Sequence, residues 1–92
     1  GLSQNYGLPE LLPVFPNPSK GITCIPVNTA TKIFISINLK DLLGKQIASI
    51  FSGHTYAEEN RYFIDTQLIP EGLYIIEMES DAGISRQKLI IR

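Results

Sequence analysis

The chain has 92 residues, of which 43% are hydrophobic and 18% charged, a composition typical of one small folded domain. Its formal net charge is -1 with both signs interspersed, which gives no electrostatic reason to expect nucleic acid or anionic lipid as a partner. The apolar runs are too short to span a bilayer, and the single cysteine, Cys24, excludes an intrachain disulfide.

Residues 1–10 are mostly small and polar and show no hydrophobic periodicity. We therefore predict a linker or an expression remnant that joined a larger upstream protein. The domain itself is expected to occupy residues 11–92. Because the amino terminus lacks a basic region followed by an apolar stretch, any signal peptide for export is expected on an upstream part of the precursor.

The dominant hydrophobic period in the rest of the chain is two residues, which predicts β-strands. Ile33, Ile35, Ile37 and Leu39 alternate with polar residues, apart from Phe34. Turn residues divide the chain into seven predicted strands: 11–15, 22–27, 32–40, 45–51, 61–66, 73–80 and 84–91. No stretch predicts an amphipathic helix of sufficient length. This spacing predicts an all-β fold, an immunoglobulin-like antiparallel β-sandwich.

Several connections contain residues typical of turns. Gly44 and Gly83 each end a four-residue loop, where glycine can take the positive φ that closes a hairpin. Residues 16–21 predict a rigid corner, because each proline fixes its own φ. The segment around Tyr74 resembles a tyrosine corner, in which the hydroxyl bonds to upstream backbone. Pro26 cannot donate a ladder hydrogen bond, so its strand is expected at a sheet edge or bulged.

Few residues are candidates for chemistry, and an enzyme is not expected. Cys24 lies in a predicted strand and is expected to pack rather than react. His54 is the only histidine and lies in a predicted loop, which disfavours a metal site or a Cys–His dyad. Glu77, Glu79 and Asp81 offer a weak Ca²⁺ site only as a minor alternative. We therefore assign no catalytic, cofactor-binding or metal residue and no cofactor.

Four segments of the chain carry a family resemblance. They are residues 14–21 with Pro-Asn-Pro and Gly, residues 39–47 with Asp41 and Gly-Lys, residues 68–78 with Gly72 and Tyr74, and residues 88–92. In this order they resemble the C-terminal sorting domain of the type IX secretion system of Bacteroidota (Por secretion system tail, type A). The matching residues are Pro16, Asn17, Pro18, Gly21, Gly44, Lys45, Gly72, Tyr74, Lys88, Leu89, Ile90, Ile91 and Arg92.

The resemblance implies a non-catalytic secretion signal with an immunoglobulin-like fold. In that family the domain is fused to an upstream cargo protein and is recognised by components of the type IX translocon. The cargo passes through the periplasm and reaches the cell surface or the medium. A sortase usually removes the domain, and the cargo is released or linked to surface lipopolysaccharide. The family's signal is thought to concentrate in the last strand.

Strand addition by a receptor is one hypothesis for how strand 84–91 is recognised, since an edge strand offers unpaired backbone groups. Nothing follows Arg92 in the chain, so the last strand is expected to be accessible, and a weak dimer through it is an alternative. The rival function is a carbohydrate- or protein-binding module that stays on a surface protein, with Tyr56, Tyr62 and Phe34 as its exposed patch. A structural spacer is the third reading.

Overall fold

A computed structural model describes residues 8–92 and contains two antiparallel β-sheets, which confirms the predicted all-β sandwich. Its seven strands are β1 (Glu10–Leu11), β2 (Ile22–Thr29), β3 (Phe34–Lys40), β4 (Gln46–His54), β5 (Glu58–Asp65), β6 (Gly72–Ser80) and β7 (Gly83–Ile91). One sheet has the strand order β1-β2-β5 and the other the order β4-β3-β6-β7. The predicted linker lies largely in residues 1–7, outside the described residues. Between residues 8 and 92 no helix is long and apolar enough to cross a membrane.

The core lies between the two sheets and follows the predicted alternation. Ile35, Ile37 and Leu39 of β3 are fully buried, while the residues between them face outward. The other sheet supplies Ile25 and Val27 of β2, which are equally buried. Because side chains of a strand alternate between its two faces, one set of apolar residues from each sheet closes the interior.

The first predicted strand, 11–15, is shorter than expected because the chain changes sheets there. Glu10 and Leu11 pair with β2, and Phe15 forms one further bridge to Cys24 of that strand. Ser19 then forms a parallel bridge to Ile91 in the other sheet. Residues 10–19 therefore run along the open side of the sandwich and connect one sheet to the edge of the other.

Two expectations about the other strands were wrong. Strand β4 continues through His54, which pairs with Phe34 and therefore lies in a strand rather than in a loop. Strand β2 is central in its sheet and pairs with β5 without a register shift, although Pro26 predicted an edge or a bulge. The carbonyl of Pro26 accepts a hydrogen bond from the N–H of Leu12 at 3.0 Å. Because the N–H and the carbonyl of a strand residue face the same neighbouring strand, the position where Pro26 lacks an N–H faces residues 11–15, whose pairing with β2 is interrupted between Leu11 and Phe15.

The strands define two ends of the sandwich. The motif end consists of residues 16–21, the loop 41–45, the loop 66–71 and residues 88–92, because Ile22 pairs with Asp65 and Gly72 with Ile91. The opposite end consists of residues 8–9, the loop 80–83 and residues 54–58. Strand β6 has nine residues, so the two ends are about 30 Å apart.

Candidate functional site

The side chain of Asn17 binds the last strand. Its Nδ2 donates a hydrogen bond to the carbonyl of Lys88 at 2.9 Å, and its Oδ1 accepts one from the N–H of Ile90 at 2.9 Å. A carboxamide has the donor and acceptor of a peptide group. Pro16 and Pro18 have no N–H to offer, so the Asn17 side chain supplies the pairing that a normal strand would make through its backbone.

Ser19 continues this pairing with its own backbone. Its N–H donates to the carbonyl of Ile90 at 2.7 Å, and its carbonyl accepts from the N–H of Arg92 at 2.9 Å. Asn17 and Ser19 together satisfy four successive outward-facing groups of the last strand, from the Lys88 carbonyl to the Arg92 N–H. We call this set of four hydrogen bonds the clasp.

The clasp changes the expectation for strand addition. Strand β7 is an edge strand, as the hypothesis required, but the outward backbone groups of its last part are not unpaired. Among residues 8–92 the structure describes no partner for the outward groups of Ile84 and Arg86. Strand β1 lies beside β7, and Gln87 Nε2 donates to the carbonyl of Leu11 at 3.2 Å. A receptor strand or a second copy of the chain could pair with the last part of β7 only by displacing Asn17 and Ser19.

Two buried hydroxyls anchor the clasp to the first sheet. Ser19 Oγ lies 2.8 Å from Thr66 Oγ1, and Thr66 Oγ1 donates to the carbonyl of Gly21 at 2.8 Å. The N–H of Thr66 donates to the same carbonyl at 2.7 Å. Gly21 is thus held through its carbonyl, and residues 14–21, which we call the opening motif, are tied both to β7 and to the loop that follows β5.

The predicted tyrosine corner is present beside the clasp. The hydroxyl of Tyr74 donates to the carbonyl of Pro70 at 2.7 Å, and the Tyr74 side chain is buried. Gly72 has φ 156° and lies against the Tyr74 ring, which an added Cβ would contact at 3.5 Å. Tyr74 pairs with Leu89 and Gly72 with Ile91, so this motif supports the inner side of the strand whose outer side the clasp covers.

Gly44 and Lys45 lie at the same end but apart from the clasp. Gly44 has φ 88°, as predicted for a hairpin loop. Asp41 Oδ1 accepts from the N–H groups of Leu43 and Lys45, both at 2.9 Å, and closes the loop. The loop joins β3 to β4, and β3 is separated from β7 by β6. Three of the four sequence motifs therefore meet at β7, and the fourth forms a separate projection two strands away.

The surface of the motif end combines exposed leucines with charged residues of both signs. Leu43 is 94% exposed and Leu68 is 98% exposed, although leucine is normally buried. The exposed basic side chains at this end are Lys20, Lys45, Lys88 and Arg92, and the exposed acidic ones are Asp65 and Glu71. Leu73 and Ile90 pair across β6 and β7 and add partly exposed apolar area. Apolar side chains surrounded by charge are typical of protein interaction surfaces.

The remaining chemical candidates have structural roles. Burial raises the pKa of the Cys24 thiol, whereas a nucleophilic cysteine needs a lowered pKa. Glu77 does not join Glu79 and Asp81 in a Ca²⁺ site, because its carboxylate is paired with Lys40 and with Arg86 Nε. The hydrogen bond from Lys40, followed by that from Arg86, lowers the pKa of Glu77. Within residues 8–92 no group of three or more metal-ligating side chains is found.

Sequence reasoning missed Ser19 and Thr66 as members of this site. Both hydroxyls are buried, and their pairing joins residues 47 positions apart. Ser19 lies inside the opening motif, so its position was a usable signal. Thr66 follows β5 in a polar stretch and has no local pattern that would distinguish it.

Comparison with known proteins gives one family match. A family described as "Secretion system C-terminal sorting domain" matches residues 13–92, which is most of the chain. The matched range includes all residues of the clasp, the tyrosine corner and the hairpin loop 41–45. Comparisons with curated proteins and with solved structures each found no match.

Proposed function

The chain belongs to the family of secretion system C-terminal sorting domains, and on this premise we propose that it is a non-catalytic address for type IX secretion. The protein fused upstream is the cargo. Translocon components at the outer membrane recognise the folded domain from the periplasmic side, and the cargo reaches the cell surface or the medium. A sortase of the same system then removes the domain.

The observation that carries this proposal is the clasp. Asn17 and Ser19 belong to the opening motif, and Lys88, Ile90 and Arg92 belong to residues 88–92, which we call the closing motif. These motifs are more than 70 residues apart in the chain, yet folding joins them into one surface. A receptor that reads this surface reads folded domains only, because an unfolded chain does not bring the two motifs together.

The exposed chemistry of the motif end supports its role as the recognition surface. Leu43 and Leu68 project from two loops of the motif end, and Lys45 and Lys88 are exposed at the same end. Because Asp65 and Glu71 are exposed at the same end, a receptor surface with apolar pockets and charges of both signs would complement this arrangement. The leucines would supply most of the apolar contact, and the charged residues around them would fix the register of the complex.

The position of the upstream connection fits the same arrangement. Leu8 and Pro9 lie beside Ser80 and Gly83 at the opposite end of the sandwich. A cargo attached through residues 1–7 is therefore joined about 30 Å from the motif end, if the length of a nine-residue strand is taken as the separation. A receptor could therefore approach the motif end from the side opposite to the point where the chain enters the domain.

Export of a reporter tests the proposal. Residues 1–92 are fused behind a periplasm-directed fluorescent protein in a Bacteroidota host, and surface and medium fluorescence are measured with and without a working type IX system. We expect export that requires both the domain and the machinery. A reporter that stays in the periplasm in both strains, while the domain is folded, would contradict the proposal.

Matched leucine variants test which end is recognised. Leu43→Glu and Leu68→Glu change nearly fully exposed side chains and are expected to leave the thermal unfolding midpoint unchanged while export falls about tenfold or more. Leu8→Glu, an exposed leucine at the opposite end, is the control and should be exported normally. Normal export of both loop variants would exclude these two leucines from the recognition surface.

A further inference from the structure

A groove with aromatic walls lies at the opposite end from the sorting motifs. It has a volume of about 360 Å³ and is bordered by β4, β5 and the connection between them. The residues that line it include Phe51, His54, Tyr56, Glu59, Arg61 and Tyr62. This volume falls at the lower end of the range for small-molecule sites and suits one ring of a ligand. None of these residues belongs to a sorting motif.

One aromatic ring in this groove is exposed on a fixed backbone. Tyr56 is 80% exposed. Its N–H donates to Asn60 Oδ1 at 2.9 Å, and its carbonyl accepts from Asn60 Nδ2 at 3.0 Å. The preceding residue, Thr55, is buried and donates its N–H to the carbonyl of Ile33 at 2.7 Å. A ring on a backbone held in this way loses little conformational entropy when a ligand stacks on it.

The backbone beside Tyr56 is also strained. Glu58 has φ 72°, a conformation that residues other than glycine rarely adopt. Asn60 Nδ2 donates to the carbonyl of Glu58 at 3.4 Å and helps to hold it. Strained backbone of this kind persists where the surrounding structure enforces it, and it concentrates at ligand-binding sites.

The second aromatic wall is rigid as well. The rings of Phe51 and Tyr62 stack with their centroids 4.2 Å apart and an interplanar angle of 30°. Both side chains pack against the hydrophobic core on their inner side. This aromatic wall of the groove therefore does not need to rearrange before a ligand binds.

The polar groups of the groove indicate the class of ligand. Arg61 Nη2 and Glu59 Oε2 are 3.8 Å apart, and both side chains are largely exposed. One guanidinium and one carboxylate balance each other in charge, so the groove selects for neither anions nor cations. Together they offer donors and acceptors that neighbouring hydroxyl groups can use.

We propose that this groove binds one pyranose ring of a neutral glycan, with an apolar face of the sugar on Tyr56 and its hydroxyls on Arg61 and Glu59. A pyranose combines a flat apolar face with several hydroxyls, and this combination matches an exposed aromatic ring beside a charge-balanced polar pair. The site would operate independently of sorting, because it lies at the other end of the domain. The groove lies on the β4–β5 side of the sandwich, whereas Leu8 and Pro9 lie at the same end beside the β6–β7 loop.

Titration of the 92-residue chain with neutral oligosaccharides tests this proposal. Gluco-, manno-, galacto- and N-acetylglucosamine oligosaccharides are added in turn, and amide chemical shifts are followed by NMR. We expect at least one of them to shift the signals of Tyr56, Arg61 and their neighbours in a saturable manner. No saturable shift with any of the four, or shifts confined to the motif end, would overturn the proposal.

Variants identify the stacking contribution. Tyr56→Ala should weaken binding about tenfold or more, because it removes the ring, whereas Tyr56→Phe keeps the ring and should bind within about threefold of the unaltered chain. Arg61→Gln should weaken binding by a similar factor through loss of the guanidinium donors. Equal binding by Tyr56→Ala and the unaltered chain would overturn the proposal.

The export assay separates this proposal from the sorting function. Tyr56→Ala should be exported like the unaltered chain, because the clasp and the exposed leucines are unchanged. If Tyr56→Ala loses export, the groove belongs to the sorting surface, and the glycan proposal is overturned. Failure of the sorting proposal would instead appear as loss of domain-dependent export, with the NMR titration unaffected.

Discussion

The side-chain carboxamide of Asn17 forms two hydrogen bonds with the last strand, of which the bond from the Ile90 N–H to Asn17 Oδ1 is 2.9 Å long. Asn17 is flanked by two prolines that cannot donate hydrogen bonds themselves. A single side chain therefore connects the opening and closing motifs of the domain. This relationship explains why an asparagine, rather than another small polar residue, is useful between these prolines.

Replacement of Asn17 should destabilise the domain and weaken export. Asn17→Ala removes two hydrogen bonds and is expected to lower the free energy of unfolding by about 1–2 kcal/mol. Asn17→Asp should cost at least as much, because a carboxylate can accept from Ile90 but faces the Lys88 carbonyl without a donor. Urea denaturation measures both. Gln67→Ala, which changes an exposed amide at the same end, is the control, and an equal loss in that variant would contradict the assignment.

Replacement of the Tyr74 hydroxyl should have a stability effect of similar size. Tyr74→Phe leaves the Pro70 carbonyl without its 2.7 Å partner and is expected to lower the free energy of unfolding by about 1–2 kcal/mol. Tyr56→Phe removes a hydroxyl from an exposed ring and should change stability by less than about 0.5 kcal/mol. Thermal or urea unfolding compares the stability of the two variants. Equal losses of free energy of unfolding would mean that the hydrogen bond from Tyr74 to Pro70 does not stabilise the domain.

The two buried hydroxyls that anchor the clasp should be energetically coupled. A double-mutant cycle of Ser19→Ala and Thr66→Val is expected to give an interaction energy of about 0.5–1.5 kcal/mol, since their oxygens lie 2.8 Å apart. The control cycle combines Ser19→Ala with Thr29→Val, a buried threonine at the opposite end. That pair should be additive within about 0.5 kcal/mol. Additivity in both cycles would show that the hydroxyl pair is not coupled.

Stability should decline at acidic pH partly through Glu77. Its pKa is lowered in the folded state by Lys40 and Arg86, so its contribution is present above the ordinary value of 4.5 and is lost as pH falls through the lowered pKa. Glu77→Gln should reduce stability at neutral pH by about 1–2 kcal/mol and flatten the decline below pH 4.5.

The control for this pH dependence is Glu79→Gln, an exposed carboxylate on the same strand. Among the described residues Glu79 has no ion pair, so its replacement should change the free energy of unfolding at neutral pH by less than about 0.5 kcal/mol. Urea midpoints measured from neutral to acidic pH provide the comparison. If the two variants gave the same profile, the ion pairs of Glu77 with Lys40 and Arg86 would not be the cause.

The sequence alone determined the properties that depend on neighbouring residues. Alternation such as Ile35, Ile37 and Leu39 reveals a strand and its buried face, because side chains of a strand alternate. Gly44 and Tyr74 were recognised because a hairpin loop and a tyrosine corner are local patterns. The order of the four motifs was sufficient to indicate the family.

Only the tertiary structure decided how distant segments meet. Strand β2 can be central because Pro26, which has no N–H to donate, faces residues 10–15 rather than β5, and that arrangement is set only when residues 10–15 fold beside β2. The clasp joins Asn17 to Lys88 and Ile90 across more than 70 residues, and no local pattern encodes that pairing. Backbone hydrogen bonds are satisfied by whichever segment lies alongside, so the partner of an edge strand is determined only when the whole chain has folded.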